Sequence, residues 1–206
     1  MSRSATKEGT TRYAQKFAGR AAAGHFRETQ RMVLSSLGIG TYLGQPDGKT
    51  DESYTQAVVT AVESGINGID AAINYRFQRS ERSIGAALQQ LAAKGFGREE
   101  IVLCTKGGYL TPDGTMPGDP NEYFFREYIH TGIFSAKDIA AGSHCMTPKF
   151  LKDQLGRSLK NLGVECIDVY YLHNPETQLT EVSREEFLKR VREAFEFLES
   201  AVEAGE

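Results

Sequence analysis

Long apolar runs, paired cysteines and an excess of charge are all missing from this sequence of 206 residues. No window approaches the roughly 18 consecutive apolar residues of a transmembrane helix, which excludes a membrane span. The three cysteines, Cys104, Cys145 and Cys166, form no Cys-x-x-Cys pair, which argues against a disulfide framework and indicates a reducing cytoplasm. The 24 basic residues nearly balance the 27 acidic ones, so neither nucleic acid nor a membrane surface is favoured as a partner.

The overall composition is that of a globular protein. Apolar residues make up 40% of the chain and charged residues 25%, proportions that exclude collagen-like and largely disordered chains. Residues 1–30 are polar, and their longest apolar stretch, Ala21 to Ala23, is too short for a secretory signal. We therefore expect residues 1–30 to be an irregular leader packed on the domain. A short β-hairpin is predicted to follow it.

From residue 37 onward, short apolar runs alternate with segments of helical periodicity. The predicted strands are 37–41, 65–70, 100–106 and 167–173. The predicted helices are 51–64, 80–93, 147–161 and a last one that begins at the capping box of Ser183 and Glu186. Four alternations of strand and helix predict an α/β fold, in which crossover helices connect the strands of a parallel sheet.

The alternation is interrupted at residues 107–146. This stretch is rich in proline, glycine and aromatic residues, and it is far longer than the two to six residues usual for a strand-to-helix loop. We therefore predict an insertion with local structure of its own. Its aromatic side chains either form a small separate core or cover a substrate pocket as a lid, and the position on a βα loop favours the lid.

Ionisable residues end three consecutive predicted strands. Asp70, Lys106 and His173 each come directly after an apolar run, and the carboxyl ends of parallel strands meet at one edge of the sheet. Tyr75 follows Asp70 by five residues, close enough to lean back over the same edge. We therefore predict that these four side chains converge.

The four residue types together suit the reduction of a carbonyl group. A tyrosine phenol is a weak acid at neutral pH, and the ammonium of Lys106 would favour its ionised form and lower its pKa. Asp70 would keep Lys106 charged and oriented, while His173 would position the carbonyl oxygen. Tyr75 then becomes a proton donor to an oxygen that gains negative charge as hydride reaches its carbon.

Each of these residues also has an ordinary structural explanation. A single lysine or aspartate at a strand end is as often a solvated or capping residue, His173 can cap its strand in a turn, and Tyr75 can be a packing aromatic. A lyase that uses Lys106 as a Schiff-base amine is a further alternative. Three consecutive strands that end this way by chance are much less expected, so the joint pattern favours hydride transfer.

No metal site is expected. His130, His144 and Cys145 lie in one irregular loop without the paired spacing of metal ligands. Cys104, in the middle of a predicted strand, is better explained as a small buried residue than as a nucleophile.

Five segments resemble one family. They are LGIGTY at 37–42, GINGIDAAINY at 65–75, SERSIGAAL at 80–88, IVLCTK at 101–106 and SLKNLGVECIDVYYLH at 158–173. In order and spacing they resemble the aldo-keto reductase family over residues 37–175, apart from the insertion. The resemblance implies a (β/α)8 barrel of TIM-barrel type, an enzyme that transfers hydride from NADP(H) to a small-molecule aldehyde or ketone without a metal.

The resemblance also implies roles for individual residues. Tyr75 is the general acid, Lys106 and Asp70 tune it, and His173 orients the carbonyl group. The residues implied to lie near the nicotinamide end of the cofactor are Gly40, Thr41, Tyr42 and Asp70.

The chain is short for a complete barrel. A (β/α)8 barrel takes about 250 residues, and about four βα units fit into residues 31–206 beside the insertion. The rest of the cofactor site is implied to follow strands five to eight, which these units do not supply. We therefore expect a partial barrel that is a fragment of a longer protein or self-associates through its exposed sheet edges. The alternative function is an interaction or regulatory module without catalysis.

Overall fold

The computed structural model describes residues 3–206 and shows two β-sheets there. Strands β1 (Phe26–Thr29) and β2 (Met32–Ser35) pair as an antiparallel hairpin. The second sheet is parallel, with the strand order β3-β4-β5-β6. Its strands are β3 (Gly38–Gly40), β4 (Gly68–Asp70), β5 (Val102–Gly107) and β6 (Val169–Leu172). The predicted hairpin and the predicted parallel sheet are both confirmed.

Residues 3–206 also form six α-helices. They are α1 (Lys7–Lys16), α2 (Gly48–Glu63), α3 (Arg79–Ala93), α4 (Pro120–Phe124), α5 (Pro148–Leu162) and α6 (Arg184–Ala204). Helices α2, α3, α5 and α6 each follow one strand of the parallel sheet, as crossover connections require. None of the helices in this part of the chain has the length and apolar character that a membrane crossing needs.

Helix α2 shows how local sequence determines these elements. The side chain of Asp47 accepts a hydrogen bond of 2.8 Å from the Thr50 N–H and so caps the first turn. Val58 and Val62, four residues apart on one helix face, are fully buried. Gly65 has a φ of +99°, which glycine adopts without strain, and the chain leaves the helix there.

Helices α3 and α5 pack closely where α3 has a glycine. A Cβ atom at Gly85 would lie 2.7 Å from the carbonyl oxygen of Asn161 and 2.9 Å from that of Leu162. The contact therefore depends on the missing side chain. Ile84 of α3 and Leu155 of α5 belong to the same main core, which lies between the helices and the parallel sheet.

The N-terminal segment contains helix α1, which corrects the expectation that the leader over residues 1–30 is irregular, and it packs on the domain as part of this core. Tyr13 of α1 is fully buried, and its hydroxyl donates a 2.6 Å hydrogen bond to the Val62 carbonyl. Phe17 and Phe26 pack against its ring. Full burial of one such side chain contributes about 1.5–3 kcal/mol. The helix escaped sequence analysis because Tyr13 and Phe17 are the large apolar residues of an otherwise polar segment.

Helix α1 and the hairpin close the amino-terminal end of the parallel sheet. Asn67, directly before β4, donates hydrogen bonds to the carbonyl groups of Val33 in the hairpin and Glu100 before β5. Arg12 and Lys16 of α1 form ion pairs with the buried carboxylate of Glu100. The opposite end of the sheet, where the strands finish, is the end at which parallel α/β folds carry their functional residues.

The parallel sheet remains open among the described residues, with β3 and β6 as its edges. Beside β6, helix α6 presents apolar side chains to solvent. Phe195 is 50% exposed and Val202 is 74% exposed.

The insertion has local structure of its own, as expected. The rings of Tyr128 and Phe134 stack with centroids 5.3 Å apart, and Phe150 at the start of α5 meets both edge-on at 5.5 Å. Cys145 completes this second core. The aromatic side chains of this core are buried against α5, so they do not form the favoured lid.

Candidate active site

The predicted strand-end residues lie along one edge of the parallel sheet. Asp70 is the last residue of β4, Lys106 the next-to-last of β5, and His173 directly follows β6. The parallel register pairs Asp70 with Cys104 and Lys106 with Tyr171. Successive strands therefore deliver these three residues to neighbouring positions at their carboxyl ends.

Lys106 lies at the centre of the cluster. Its Nζ donates to Asp70 Oδ2 at 2.7 Å, to the Ala71 carbonyl at 2.6 Å and to the Tyr75 hydroxyl at 3.3 Å. The lysine side chain is only 17% exposed, while that of Asp70 is 45% exposed. The ammonium therefore has all three donors engaged and is held against the phenol.

Tyr75 is held above the edge by the turn that follows β4. The Ala71 and Ile73 N–H groups donate to the carbonyl groups of Cys104 and Lys106, so the turn continues the bonding to β5. The Tyr75 ring then lies with its centroid 5.8 Å from that of His173, in an edge-on contact. The structure thus brings the four predicted side chains together.

His173 is a neutral imidazole at physiological pH. Burial and the nearby charge of Lys106 lower its pKa to about 4. Its Nδ1 atom is buried, with no hydrogen-bond partner among residues 3–206. Its ring is therefore set by the backbone and by the aromatic rings around it.

The residues predicted to lie near the cofactor differ in how accessible they are to a ligand. The Thr41 side chain is buried, and its hydroxyl donates to the Asp70 carbonyl at 3.0 Å and lies 2.6 Å from Ser80 Oγ. This hydroxyl supports β4 and is not free for a ligand. Tyr42 is 63% exposed, with its ring centroid 4.8 Å from that of Tyr75. A Cβ atom at Gly40 would meet no heavy atom within 4 Å, so the backbone there faces open space.

A strained turn directly after Tyr75 was not predicted. Residues 76–78 have φ values of +49°, +57° and +70°, a conformation that costs non-glycine residues about 1–3 kcal/mol each. Arg76 forms an ion pair with Asp51 of α2, which ties the turn to that helix. The Gln78 side chain donates to the Pro112 carbonyl at 3.2 Å. The insertion therefore helps to hold the turn that carries Tyr75.

Two further aromatic groups at the site were also missed. The ring of Tyr109 meets His144 and His173 edge-on, with centroid distances of 4.9 and 5.0 Å. His144 was considered only as a metal ligand. No sequence signal places it here, because the contact depends on how an insertion of about 40 residues folds back on the strand ends.

The thiol and the metal alternatives are weakly supported. Burial, together with the charge of Asp70, raises the pKa of Cys104 to about 11, so its thiolate is scarce at neutral pH. Within residues 3–206, no group of three or more His, Cys, Asp or Glu side chains is placed to hold a metal ion.

The structure combines a parallel α/β fold with a tyrosine, a lysine, an aspartate and a histidine at the strand ends. This combination is the one expected for the family that the sequence resembles. The pattern of the Aldo/keto reductase family matches residues 36–206. The chain is a member of this family, and the resemblance noted in the sequence is confirmed.

Two curated relatives illustrate the match. The NADH-specific methylglyoxal reductase of Escherichia coli (strain K12) is 27% identical over 150 residues, which cover 70% of this chain and 40% of the relative. The NADP(+) aldo-keto reductase yakc of Schizosaccharomyces pombe is 31% identical over 127 residues, or 61% of this chain and 29% of the relative. The matched region thus spans well under half the length of these relatives.

Solved structures show the same fold. The chain superposes on the holo form of aldo-keto reductase AKR11C1 from Bacillus halodurans with a TM-score of 0.57 and 23% identity, covering 87% of this chain and 47% of that one. The putative aldo-keto reductase PA4992 from Pseudomonas aeruginosa gives a TM-score of 0.54 at 22% identity, covering 88% and 57%. The fold is therefore that of part of an aldo-keto reductase (β/α)8 barrel.

Proposed function

We propose that this chain carries the catalytic residues of an NADP(H)-dependent reductase that converts aldehydes or ketones to alcohols. The observation that carries the proposal is the contact of one largely buried ammonium, that of Lys106, with both the Tyr75 hydroxyl and the Asp70 carboxylate. A phenol held against a cation is suited to giving up its proton.

Tyr75 acts as the general acid. When hydride adds to a carbonyl carbon, the oxygen gains negative charge, and Tyr75 donates its proton to that oxygen. The ammonium of Lys106 stabilises the phenolate that results. Asp70 holds the ammonium in place, and because Asp70 is half-exposed, its opposing charge is partly screened by water.

His173 orients the carbonyl group. Its low pKa keeps the imidazole neutral near pH 7, so the ring donates one hydrogen bond without adding a second cation beside Lys106. The edge-on contact of its ring with that of Tyr75, at 5.8 Å between centroids, supports this role. A carbonyl oxygen between the two rings would receive hydrogen bonds from both.

The residues beside the cluster fit the nicotinamide end of NADP(H). Tyr42 presents an exposed ring next to Tyr75, Asp70 presents a half-exposed carboxylate, and the backbone of Gly40 faces open space. These groups would lie near the nicotinamide ring. When bound, the cofactor supplies the hydride.

The test uses the protein as its gene encodes it, with short aliphatic and aromatic aldehydes. NADPH and NADH are compared in parallel, because one relative is named for NADH and another for NADP(+). Cofactor deuterated at the transferred position should yield one alcohol per cofactor consumed, with one deuterium on the former carbonyl carbon. Alcohol formation without label, or no turnover across both cofactors, would rule out the proposed reaction.

A second candidate function is that of an interaction module. It is favoured by the exposed apolar residues of α6 beside the open edge of β6. In that case the chain associates with itself or with another barrel segment through this edge. Sedimentation of the chain of 206 residues, alone and with NADPH, separates the two candidates. Concentration-dependent association without cofactor binding supports the module, whereas tight binding by a monomer contradicts it.

We also place the protein in the cytoplasm. Cys104, Cys145 and Cys166 are all unpaired, which suits a reducing compartment. Cell fractionation against cytoplasmic and organelle markers tests this assignment.

A further inference from the structure

The backbone carbonyl of His173 accepts a hydrogen bond from a second imidazole buried behind the site. His144, at the end of the insertion, is fully buried, and its Nε2 lies 2.8 Å from the His173 oxygen. A carbonyl oxygen can only accept, so Nε2 of His144 must carry the proton of this hydrogen bond.

The other ring nitrogen of His144 is also assigned by its neighbours. Arg190 of α6 donates to Gln178 Oε1 at 2.7 Å, and Gln178 Nε2 donates to the His144 carbonyl at 3.0 Å. Arginine has no acceptor and a carbonyl has no donor, so these two bonds determine the orientation of the glutamine amide. Gln178 Nε2 then also donates to His144 Nδ1 at 2.8 Å. His144 is therefore neutral, with its proton on Nε2.

With this hydrogen bond, both backbone polar groups of His173 have a partner. The His173 N–H donates to the Gly107 carbonyl at 2.8 Å, and the next residue, Asn174, has a φ of +45°. Because His173 Nδ1 has no partner among the described residues, the direction of the ring depends on this backbone geometry together with the contacts to Tyr75 and Tyr109.

The close approach of the two histidines is also built into the chain at Gly108. A Cβ atom at Gly108 would lie 2.9 Å from His144 Nε2 and 3.1 Å from the His173 oxygen. Any side chain there would push into the hydrogen bond. The absence of a side chain at Gly108 thus leaves space for this contact.

We propose that His144 is a positioning residue for His173: through its Nε2–H bond to the His173 carbonyl, supported by Gln178 and Arg190, it aims the His173 imidazole at the carbonyl group of the substrate. The proposal rests on the function proposed above. It assigns the end of the insertion a role in catalysis through a contact with the backbone and not through contact with substrate.

Kinetics of three variants in the protein as its gene encodes it test this role. His144→Phe keeps an aromatic ring against Tyr109 but removes the donor, and misplacement of a catalytic group by about 1 Å costs up to about a hundredfold. We expect kcat to fall roughly 10- to 100-fold with an unchanged Kd for the cofactor. His144→Gln, whose amide N–H can replace Nε2–H, should restore most of the rate. His130→Phe, at an exposed histidine of the same insertion, should leave the rate unchanged.

A measurement on the unaltered protein keeps the proposal independent of activity. Nitrogen-15 shifts of the histidine rings distinguish the two neutral tautomers, and we expect the Nε2–H form for His144 with a slowly exchanging proton. The Nδ1–H form, or a charged ring at neutral pH, would overturn the proposal even if the enzyme is active. Equal kcat for His144→Phe and His130→Phe would overturn it too. If the unaltered protein reduces no carbonyl compound, the proposed function fails, and the tautomer still tests the contact.

Discussion

Replacement of Lys106 by methionine removes the cation that faces Tyr75 and retains an unbranched side chain. In the proposed reaction, Tyr75 becomes a phenolate 3.3 Å from Lys106 Nζ. At an effective dielectric constant of about 20, two unit charges at this separation attract by about 5 kcal/mol. In the transition state the phenol oxygen carries only part of a full negative charge, so the loss on removal of the ammonium is smaller than this value. A net loss of about 3–4 kcal/mol corresponds to a fall in kcat of roughly 10²- to 10³-fold.

The assay is the steady-state consumption of NADPH with a saturating aldehyde, together with a fluorescence titration for cofactor affinity. Lys106→Met should lower kcat by the stated factor and leave the affinity for NADPH within a few-fold. Lys106→Arg is the matched control, because it retains the charge and should keep more of the rate. If Lys106→Met turns over within tenfold of the unaltered protein, the ammonium does not stabilise the phenolate and the reasoning is refuted.

Two predictions concern stability. Gly85→Ala should lower the free energy of unfolding by about 1–3 kcal/mol, because its Cβ would lie 2.7 Å from a carbonyl oxygen of α5. Gly156→Ala, at a helix position where a Cβ meets nothing within 4 Å, should raise the free energy of unfolding by up to about 1 kcal/mol. Urea titrations measure both changes, and a change of the same sign in both variants would contradict the packing described. Stability should also fall as pH decreases from about 6.5 towards 4, because the unfolded chain protonates His173 at about 6.5 and the folded chain only at about 4. Solvent screening of this half-buried ring limits the loss of stability to about 1–2 kcal/mol. If the stability of a His173→Asn variant falls as steeply between about pH 6.5 and 4 in denaturation curves, His173 is not the cause of the loss.

The strand ends of the site could be predicted because each is determined by local sequence. An apolar run that stops at Asp70, Lys106 or His173 marks a strand end, and the helical periodicity between the runs makes the sheet parallel. Parallel strands then bring their ends together without any further information. Tyr75 is only five residues from Asp70, so its place was limited by a short turn.

The parts that could not be predicted depend on contacts between distant segments. Tyr13 is the one large apolar residue of helix α1, and its burial depends on the hairpin and on α2. The contact of His144 with His173 spans 29 residues, and it forms only because the insertion folds back on the strand ends. The hydroxyl of Thr41 donates to the Asp70 carbonyl, a partner 29 residues away, and no local pattern indicates this bond. Periodicity carries no information about such pairs.

The most direct test of the proposed mechanism is the kcat of Tyr75→Phe for carbonyl reduction, measured beside its affinity for NADPH. The change removes one hydroxyl and retains the ring that packs against Tyr42 and His173. The mechanism predicts a fall in kcat of at least about 10²-fold, as expected for loss of a general acid, with cofactor affinity unchanged. A Tyr75→Phe enzyme that reduces aldehydes at nearly the rate of the unaltered protein would contradict it.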